Sequence, residues 1–340
     1  MGHLRTLIAT GAVLAATGGT AIAQEVTLTV HHFLGPRAPI HAQLLEPWAE
    51  RVEAQSEGRI AVEIFPSMSM GGRPPELYRQ VRDGFADIVW TLPGYTPGVF
   101  PRSEVFELPT VHQGSATQTN AAIQAVWSDV IADFEDIHPL LLHVHAGNAL
   151  HLRTDAVASL DDVEGLSLRT PSRTGAWMIE TWGAEPVGMP VPELPQALAR
   201  GVVDGALVPF EVMPPLGLHE MTEYSVEGPN GSRFGTATFL FAMNQERYDS
   251  LPDDLKAVID ANSGAALAAI AGEIWDNVEN VGRTMQTDSG GEIITLSDDA
   301  KAAFDALGVQ VETRWVEETA ERGFDGAALV SAAQAAVATN

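Results

Sequence analysis

The stretch ELPQALARGVVDGALVP, residues 193–209, repeats the pattern of ELYRQVRDGFADIVWTLP, residues 76–93. With Gly84 set on Gly201, Glu76 falls on Glu193, Leu77 on Leu194, Val81 on Leu198 and Asp87 on Asp204. Leu77, Val81 and Phe85 recur at helical spacing, as do Leu194, Leu198 and Val202, so each copy predicts an amphipathic helix with those residues on its buried face. Glu76 and Glu193 stand at the helix starts, where a carboxylate favours the dipole. Gly84 and Gly201 stand where a helix needs a residue tolerant of left-handed dihedrals to end it. The runs ADIVWTLP and VDGALVP then read as short strands stopped at Pro93 and Pro209, since proline removes a ladder donor. Helix, glycine and strand in this order are common in α/β proteins and give the class. Whether the chain holds two similar α/β lobes depends on the sequence around them.

Upstream, EVTLTVHHF alternates like a strand, IHAQLLEPWAERVEAQSEG reads as a helix with Leu44, Trp48 and Val52 on one face, and RIAVEIFP alternates as a second strand. Strand, helix, strand and then the first copy of the repeat form a βαβ pattern with a mostly parallel sheet. ATQTNAAIQAVWSDVIADFEDI follows as a long helix and PLLLHVHA as a buried strand. A second unit opens with SLDDVEGLSLRTPS, a capped turn running into the strand LSLR, and TGAWMIETWGAEPVGMP supplies a helix, a glycine stop and a short strand before the second copy. TATFLFAMN returns as a strand, and a very long helix starts near Pro252; at about 1.5 Å per residue it can bridge both units. The Ala-rich tail from KAAFDALGVQ onward is helical by propensity.

A chain of 340 residues accommodates two domains that each bury a core. Arg5, the apolar run after it and Ala21-Ile22-Ala23 form a secretory signal peptide over residues 1–23, removed near Gln24. The run is too short and too interrupted for a transmembrane anchor, and no other apolar stretch reads as long enough, so an exported, soluble product without membrane insertion is expected. There is no cysteine, which excludes disulfide scaffolds, thiolate metal sites and cysteine nucleophiles, and for an exported chain this fits a bacterial periplasm. The formal charge of −26 argues against nucleic acid as a partner and suits a periplasmic or salt-tolerant surface.

No phosphate-binding loop, dinucleotide fingerprint, nucleophile elbow or HExxH helix is present. His143 and His145 alternate on one strand, His151 lies just beyond, and His31 with His32 ends the first strand; the set invites a metal site, although strand-spaced histidines also serve as lining or core. Arg169 is one of 19 basic residues and ends the strand LSLR just before Pro171. Ligands of doubly wound folds sit at the carboxyl ends of strands, which directs this guanidinium into a crevice. Two readings stand for it: a salt bridge to a neighbouring acid, or a bidentate clamp on a ligand carboxylate.

The segments SLDDVEGLSLRTPS, GAEPVGMPVPELPQALARGVVDGALVP and NQERYDSLPDDLKAVIDANSG resemble, in order and spacing, the solute-binding subunits of TRAP transporters, the DctP-like tripartite ATP-independent periplasmic family. The resemblance implies a two-lobed α/β periplasmic binding protein with a ligand cleft and a long bridging helix. Lobe 1 is expected over 24–147 plus about 236–275, and lobe 2 over 148–235 plus about 276–340. It further implies capture of a small organic acid, no cofactor, no catalytic residue, and delivery to a TRAP membrane permease. The family's carboxylate-clamping arginine falls on Arg169. Many members read VDGQENP where this chain reads VDGALVP, so Ala206, Leu207 and Val208 replace polar residues; a second family arginine has no clear equivalent, with Asn148, His151 and Arg153 nearby. Since both copies of the repeat end at the cleft, Trp90 and Tyr95 are expected to face Phe210 and Glu211, with His32, Asn148 and His151 beside them. Such a wall suits a carboxylate with an apolar or aromatic body rather than a sugar acid, whose hydroxyls need partners. The alternatives are a secreted hydrolase or lyase using cleft His and Asp residues, and a metal-binding receptor using the His cluster.

Overall fold

The structure, a computed structural model, describes residues 24–112 and 114–339. The expected signal peptide lies outside the described residues. Two sheets carry the fold. The first has the order β2-β1-β3-β10-β4 and the second β11-β9-β5-β8-β6-β7. In chain order the strands are β1 Val26–His32, β2 Ile60–Phe65, β3 Ile88–Thr91, β4 Ile137–Val144, β5 Ala149–Leu152, β6 Ser167–Thr170, β7 Glu185–Gly188, β8 Gly205–Val208, β9 Tyr224–Glu227, β10 Thr238–Asn244 and β11 Glu292–Thr295. β1 is parallel to β2 and β3, as β6 is to β7 and β8. Each parallel trio is extended by an antiparallel strand that arrives from the other side: β10 beside β3, and β5 beside β8. The chain therefore crosses between the sheets three times: by two direct crossovers, from β4 into β5 and from β9 towards β10, and once more through the long helix from β10 to β11. The α/β class and two-lobed architecture expected from the sequence are present.

The repeat survives as structure. Helices Leu77–Arg82 and Leu194–Ala199 bury Leu77, Val81, Leu194 and Leu198. They end at Gly84 and Gly201, whose φ angles of +74° and +65° lie in the left-handed region. Asp87 accepts hydrogen bonds from the backbone N–H and hydroxyl of Thr29, and Asp204 accepts one from the Ser167 N–H, so the matched aspartates tie each repeat strand to its parallel neighbour. Phe85 and Val202 correct the expected helix face: they are 57% and 55% exposed. Each follows the glycine that ends its helix, and the left-handed turn swings it out of register with the apolar stripe.

The helix expected from Pro252 is broken in two, Asp253–Ala261 and Gly264–Asp288. At the break Trp48 donates its indole N–H to the Asn262 carbonyl (2.9 Å), while the Asn262 side chain donates back to Val258 (2.9 Å). By length and composition the stretch 253–288 could cross a membrane, contrary to the expectation that no such stretch follows the leader. Its apolar face instead covers both halves of the fold. The 25-residue second helix packs on helix Ala116–Ala125 and β4 at one end and on residues 210–212 at the other. Glycines permit the approach: a Cβ at Gly272 would stand 2.6 Å from Thr117 Cα, and one at Gly282 would collide with the Phe210 carbonyl. The tail forms helices Asp298–Glu321 and Gly326–Thr339, as composition predicts. Strands β9 and β11 were not foreseen; they are four-residue strands with little alternation.

Candidate functional site

The two crossovers meet at a hinge. Gly147 (φ +101°) and Gly235 (φ +66°) turn the chain, and Asn148 exchanges backbone bonds with the opposite segment: its N–H donates to Gly235 (2.8 Å) and its carbonyl accepts from Phe234 (2.9 Å). Beside this hinge the lobes line a small cavity of about 30 Å³. Direct bonds join them around it. The Val191 N–H donates to the Tyr95 hydroxyl (2.9 Å), Arg173 forks onto Glu104 (2.6 and 2.7 Å), and Arg73 pairs with Glu193 (2.7 Å).

The first sheet supplies an aromatic wall of Phe33, Trp90, Tyr95 and Phe239. Trp90 lies between Phe33 (4.9 Å, 23°) and Phe239 (4.7 Å, 10°), and its indole N–H donates to His143 Nε2 (3.0 Å). Stacking and that hydrogen bond hold the ring in one orientation. The second sheet supplies Arg169, Leu207, Val208 and Glu211, and the hinge supplies His145, Asn148 and Ala237.

Arg169 is the penultimate residue of β6 and is 2% exposed. Its Nε and Nη2 donate to the Met189 carbonyl (3.0 and 2.8 Å) and its Nη1 reaches the Leu207 carbonyl (3.5 Å). The Tyr95 hydroxyl stands beside it. Among the described residues no carboxylate pairs with it, so the salt-bridge reading of this arginine is not what the structure shows. Burial pushes its pKa down, the cost of holding a cation in an apolar place. These carbonyls take three of the five guanidinium N–H groups, the Tyr95 hydroxyl stands beside the rest, and the side chain lines the cavity.

Glu211 follows β8 and is also buried. Burial, with the Glu279 carboxyl beside it, pushes its pKa up to about 8; burial pushes Glu279 to about 7 against the pull of Arg233. The Glu211 backbone N–H donates to Glu279 (3.1 Å).

Of the eight residues expected at the site, Arg169, Trp90, Tyr95, Asn148 and Glu211 line the cavity. Three do not. Phe210 turns away, its ring between Arg233 and Arg283 (each 5.1 Å) in an ion network with Glu227 and Glu279. His151 is consumed within the second sheet, bonded to the Ser225 hydroxyl (2.8 Å) and Val208 carbonyl (3.2 Å), and burial lowers its pKa to about 3. His32 sits behind Trp90, edge-on at 6.5 Å, and bonds His41 (2.9 Å); strand alternation gives the cavity position to Phe33 instead. The remaining histidines disperse: His31 bonds Gln80, and the ring of His145 lies between the Gly147 N–H (2.9 Å) and the Ala237 N–H (3.2 Å) at the hinge, of which a neutral imidazole accepts one. Among the described residues no group of three or more His, Asp or Glu is placed to hold a metal ion. Phe33, Phe239 and His145 were not foreseen as lining. The strands HHF and TATFLF held the signal, but which face opens on the cavity follows from the pairing of β1, β3 and β10.

Two α/β lobes hinged by crossing strands around an enclosed cavity with a buried cation define a solute-binding protein. Residues 30–318 match the family described as bacterial extracellular solute-binding protein, family 7, and the chain belongs to that family. Among solved structures it resembles a TRAP solute-binding protein specific for aromatic acid ligands, from an unidentified microbe of a marine metagenome, in complex with metahydroxyphenylacetate. The identity is 43%, covering 93% of this chain and 99% of that one, with a TM-score of 0.90. A TRAP solute-binding protein from Rhodoferax ferrireducens in complex with copurified benzoate is 37% identical, covering 92% and 98%, with a TM-score of 0.89. A curated relative named outer membrane transporter protein TsaT, from Comamonas testosteroni, is 22% identical over 99% of both chains. Other curated relatives are named periplasmic binding proteins.

Proposed function

We propose that the protein captures a small carboxylate with an aromatic body in the periplasm and delivers it, chemically unchanged, to a TRAP membrane permease. The observation that carries this reading is Arg169: a buried guanidinium with no carboxylate partner, in a cavity walled by stacked aromatic rings. A ligand carboxylate supplies the missing anion, and charge-assisted bonds of this kind contribute about 1.5–3 kcal/mol each. The ring of the ligand packs against Phe33, Trp90 and Phe239, while Leu207 and Val208 offer nothing to the hydroxyls of a sugar acid. Export of a chain cut near Gln24 belongs to the same reading. So does a division at the hinge into lobe 1, 24–147 plus about 236–275, and lobe 2, 148–235 plus about 276–340, which open to admit the ligand.

A thermal-shift screen of the mature chain against aromatic, aliphatic and sugar acids tests it, with mass analysis of the recovered ligand. Ligand at a hundred times its Kd stabilises the folded state by about 2.7 kcal/mol. Aromatic monocarboxylates should give the largest shifts and be recovered intact. Tight binding confined to uronic or sialic acids contradicts the ligand class; a chemically altered ligand supports the hydrolase or lyase reading instead.

A further inference from the structure

We propose that Glu211 reads the end of the ligand remote from Arg169 and selects aromatic monocarboxylates bearing a ring hydroxyl over unsubstituted rings and over dicarboxylates. The inference rests on the reading that Arg169 clamps a carboxylate. Both residues line one cavity, yet they form no ion pair and neither is among the charged groups that act on the other, so they stand apart. Arg169 is drawn towards the end of β7 by the Met189 carbonyl. Glu211 is drawn towards the long helix, where Glu279 accepts its backbone N–H. Glu211 is the one carboxyl among the described residues lining the cavity, and the rest of the lining is mostly aliphatic and aromatic. A ligand clamped at Arg169 by its carboxylate thus meets one strong polar group at its far end.

The character of that group follows from what faces it. On the long helix Glu279 lies beside it, and the buried indole N–H of Trp275 faces its carboxyl and pulls the other way, favouring the ionised form less strongly than burial and Glu279 oppose it. Across the cavity stand Arg169 and Tyr95, and at the hinge His145 and Asn148. On the outer side Arg37 shares a surface groove with Glu211, and Arg233 and Arg283 act on Glu279 rather than directly on Glu211. No cation is paired with the Glu211 carboxyl, an acid is its neighbour, and it is buried, so at neutral pH it is a carboxylic acid. In that form it donates through O–H and accepts through C=O, which matches a phenolic hydroxyl on either side. A second ligand carboxylate would instead be buried with no cation beside it and Glu279 close by. As pH rises through about 8, Glu211 ionises and adds a negative charge to a cavity that must take an anion, while the arginines keep theirs and buried His145 stays neutral. Affinity should therefore fall in alkaline solution.

Calorimetry with benzoate, the three hydroxybenzoates and benzene-1,3-dicarboxylate separates the possibilities, using the mature chain and its Glu211→Gln and Glu211→Leu variants at pH 7 and pH 9. The wild type should bind at least one hydroxybenzoate about tenfold more tightly than benzoate, and the dicarboxylate more weakly than either. In Glu211→Leu the hydroxybenzoate-to-benzoate ratio should collapse to about one. Glu211→Gln, which still donates and accepts, should keep the preference and lose the roughly tenfold weakening from pH 7 to pH 9. An unchanged ratio in Glu211→Leu, or equal binding of the dicarboxylate, overturns the proposal. Should Glu211→Leu fail to fold, a wild-type pH profile that persists in Glu211→Gln overturns it equally. Failure of the wild type to bind any aromatic acid sinks the carboxylate reading itself, and is a different result.

Discussion

The two copies of the helix-glycine-strand unit share a frame and diverge at its end. Gly84 and Gly201 turn alike, and Asp87 and Asp204 bond to the neighbouring strand alike. Past that point the first copy presents Trp90 and Tyr95 to the cavity, whereas the second presents Leu207, Val208 and Glu211 and turns its aromatic, Phe210, into an ion network. A repeated unit thus builds two similar lobes, and the few residues beyond each strand differ in chemistry: one lobe lines the cavity with aromatic rings, the other with aliphatic side chains and a buried acid.

That division predicts unequal costs. Trp90→Ala removes a ring stacked on both faces and should destabilise the protein by about 3–5 kcal/mol, more than Leu207→Ala at the matched position, by denaturant unfolding. Equal losses would break the comparison. Gly282→Ala forces a methyl into the Phe210 carbonyl where the long helix meets the second lobe, and should cost about 1–3 kcal/mol with a lowered Tm.

The buried histidines and the buried acids should also differ in pH response. His32, His112 and His143 in the first lobe and His151 in the second are held by burial at about 3, 4, 3 and 3, below the ordinary 6.5. Their depressed values mean stability is present above pH 6.5 and lost as pH falls towards 3–4, by about 1.4 kcal/mol per unit for each residue. Glu211 and Glu279 act in the opposite sense: raised to about 8 and 7, they favour the folded state at low pH, and that contribution is lost as pH rises through 7–8. Hydrogen exchange should loosen β1, β4 and β5 first at pH 5 and residues 210–212 first at pH 9. The reverse order would contradict the assignment. The smallest effect should come from Arg73→Ala, which removes an exposed ion pair to Glu193 and should leave Tm in thermal unfolding nearly unchanged.

What was legible in the sequence was local. Glycine stops, the βαβ order and the position of Arg169 at a strand end depend on a few neighbouring residues. The break at Asn262 was hidden because it depends on Trp48, far away in the chain. Phe210 and His32 were misplaced for a related reason: nearness to a strand end says a residue is close to the cleft, but its direction is set by partners such as Arg233, Arg283 and His41. Phe239 faces the cavity because β10 returns from the other lobe to pair with β3, a register that no local period encodes.

The central claim is that Arg169 is a buried cation awaiting a ligand carboxylate. Calorimetric titration of an aromatic monocarboxylate into wild type, Arg169→Lys and Arg169→Met, with circular dichroism to verify folding, tests it most directly. Arg169→Lys keeps the charge but loses the fork and should weaken binding at least about tenfold, or about 1.4 kcal/mol. Arg169→Met should lose about a hundredfold or more, because the carboxylate is then desolvated without a partner. Near-wild-type affinity in a folded Arg169→Met protein would contradict the account.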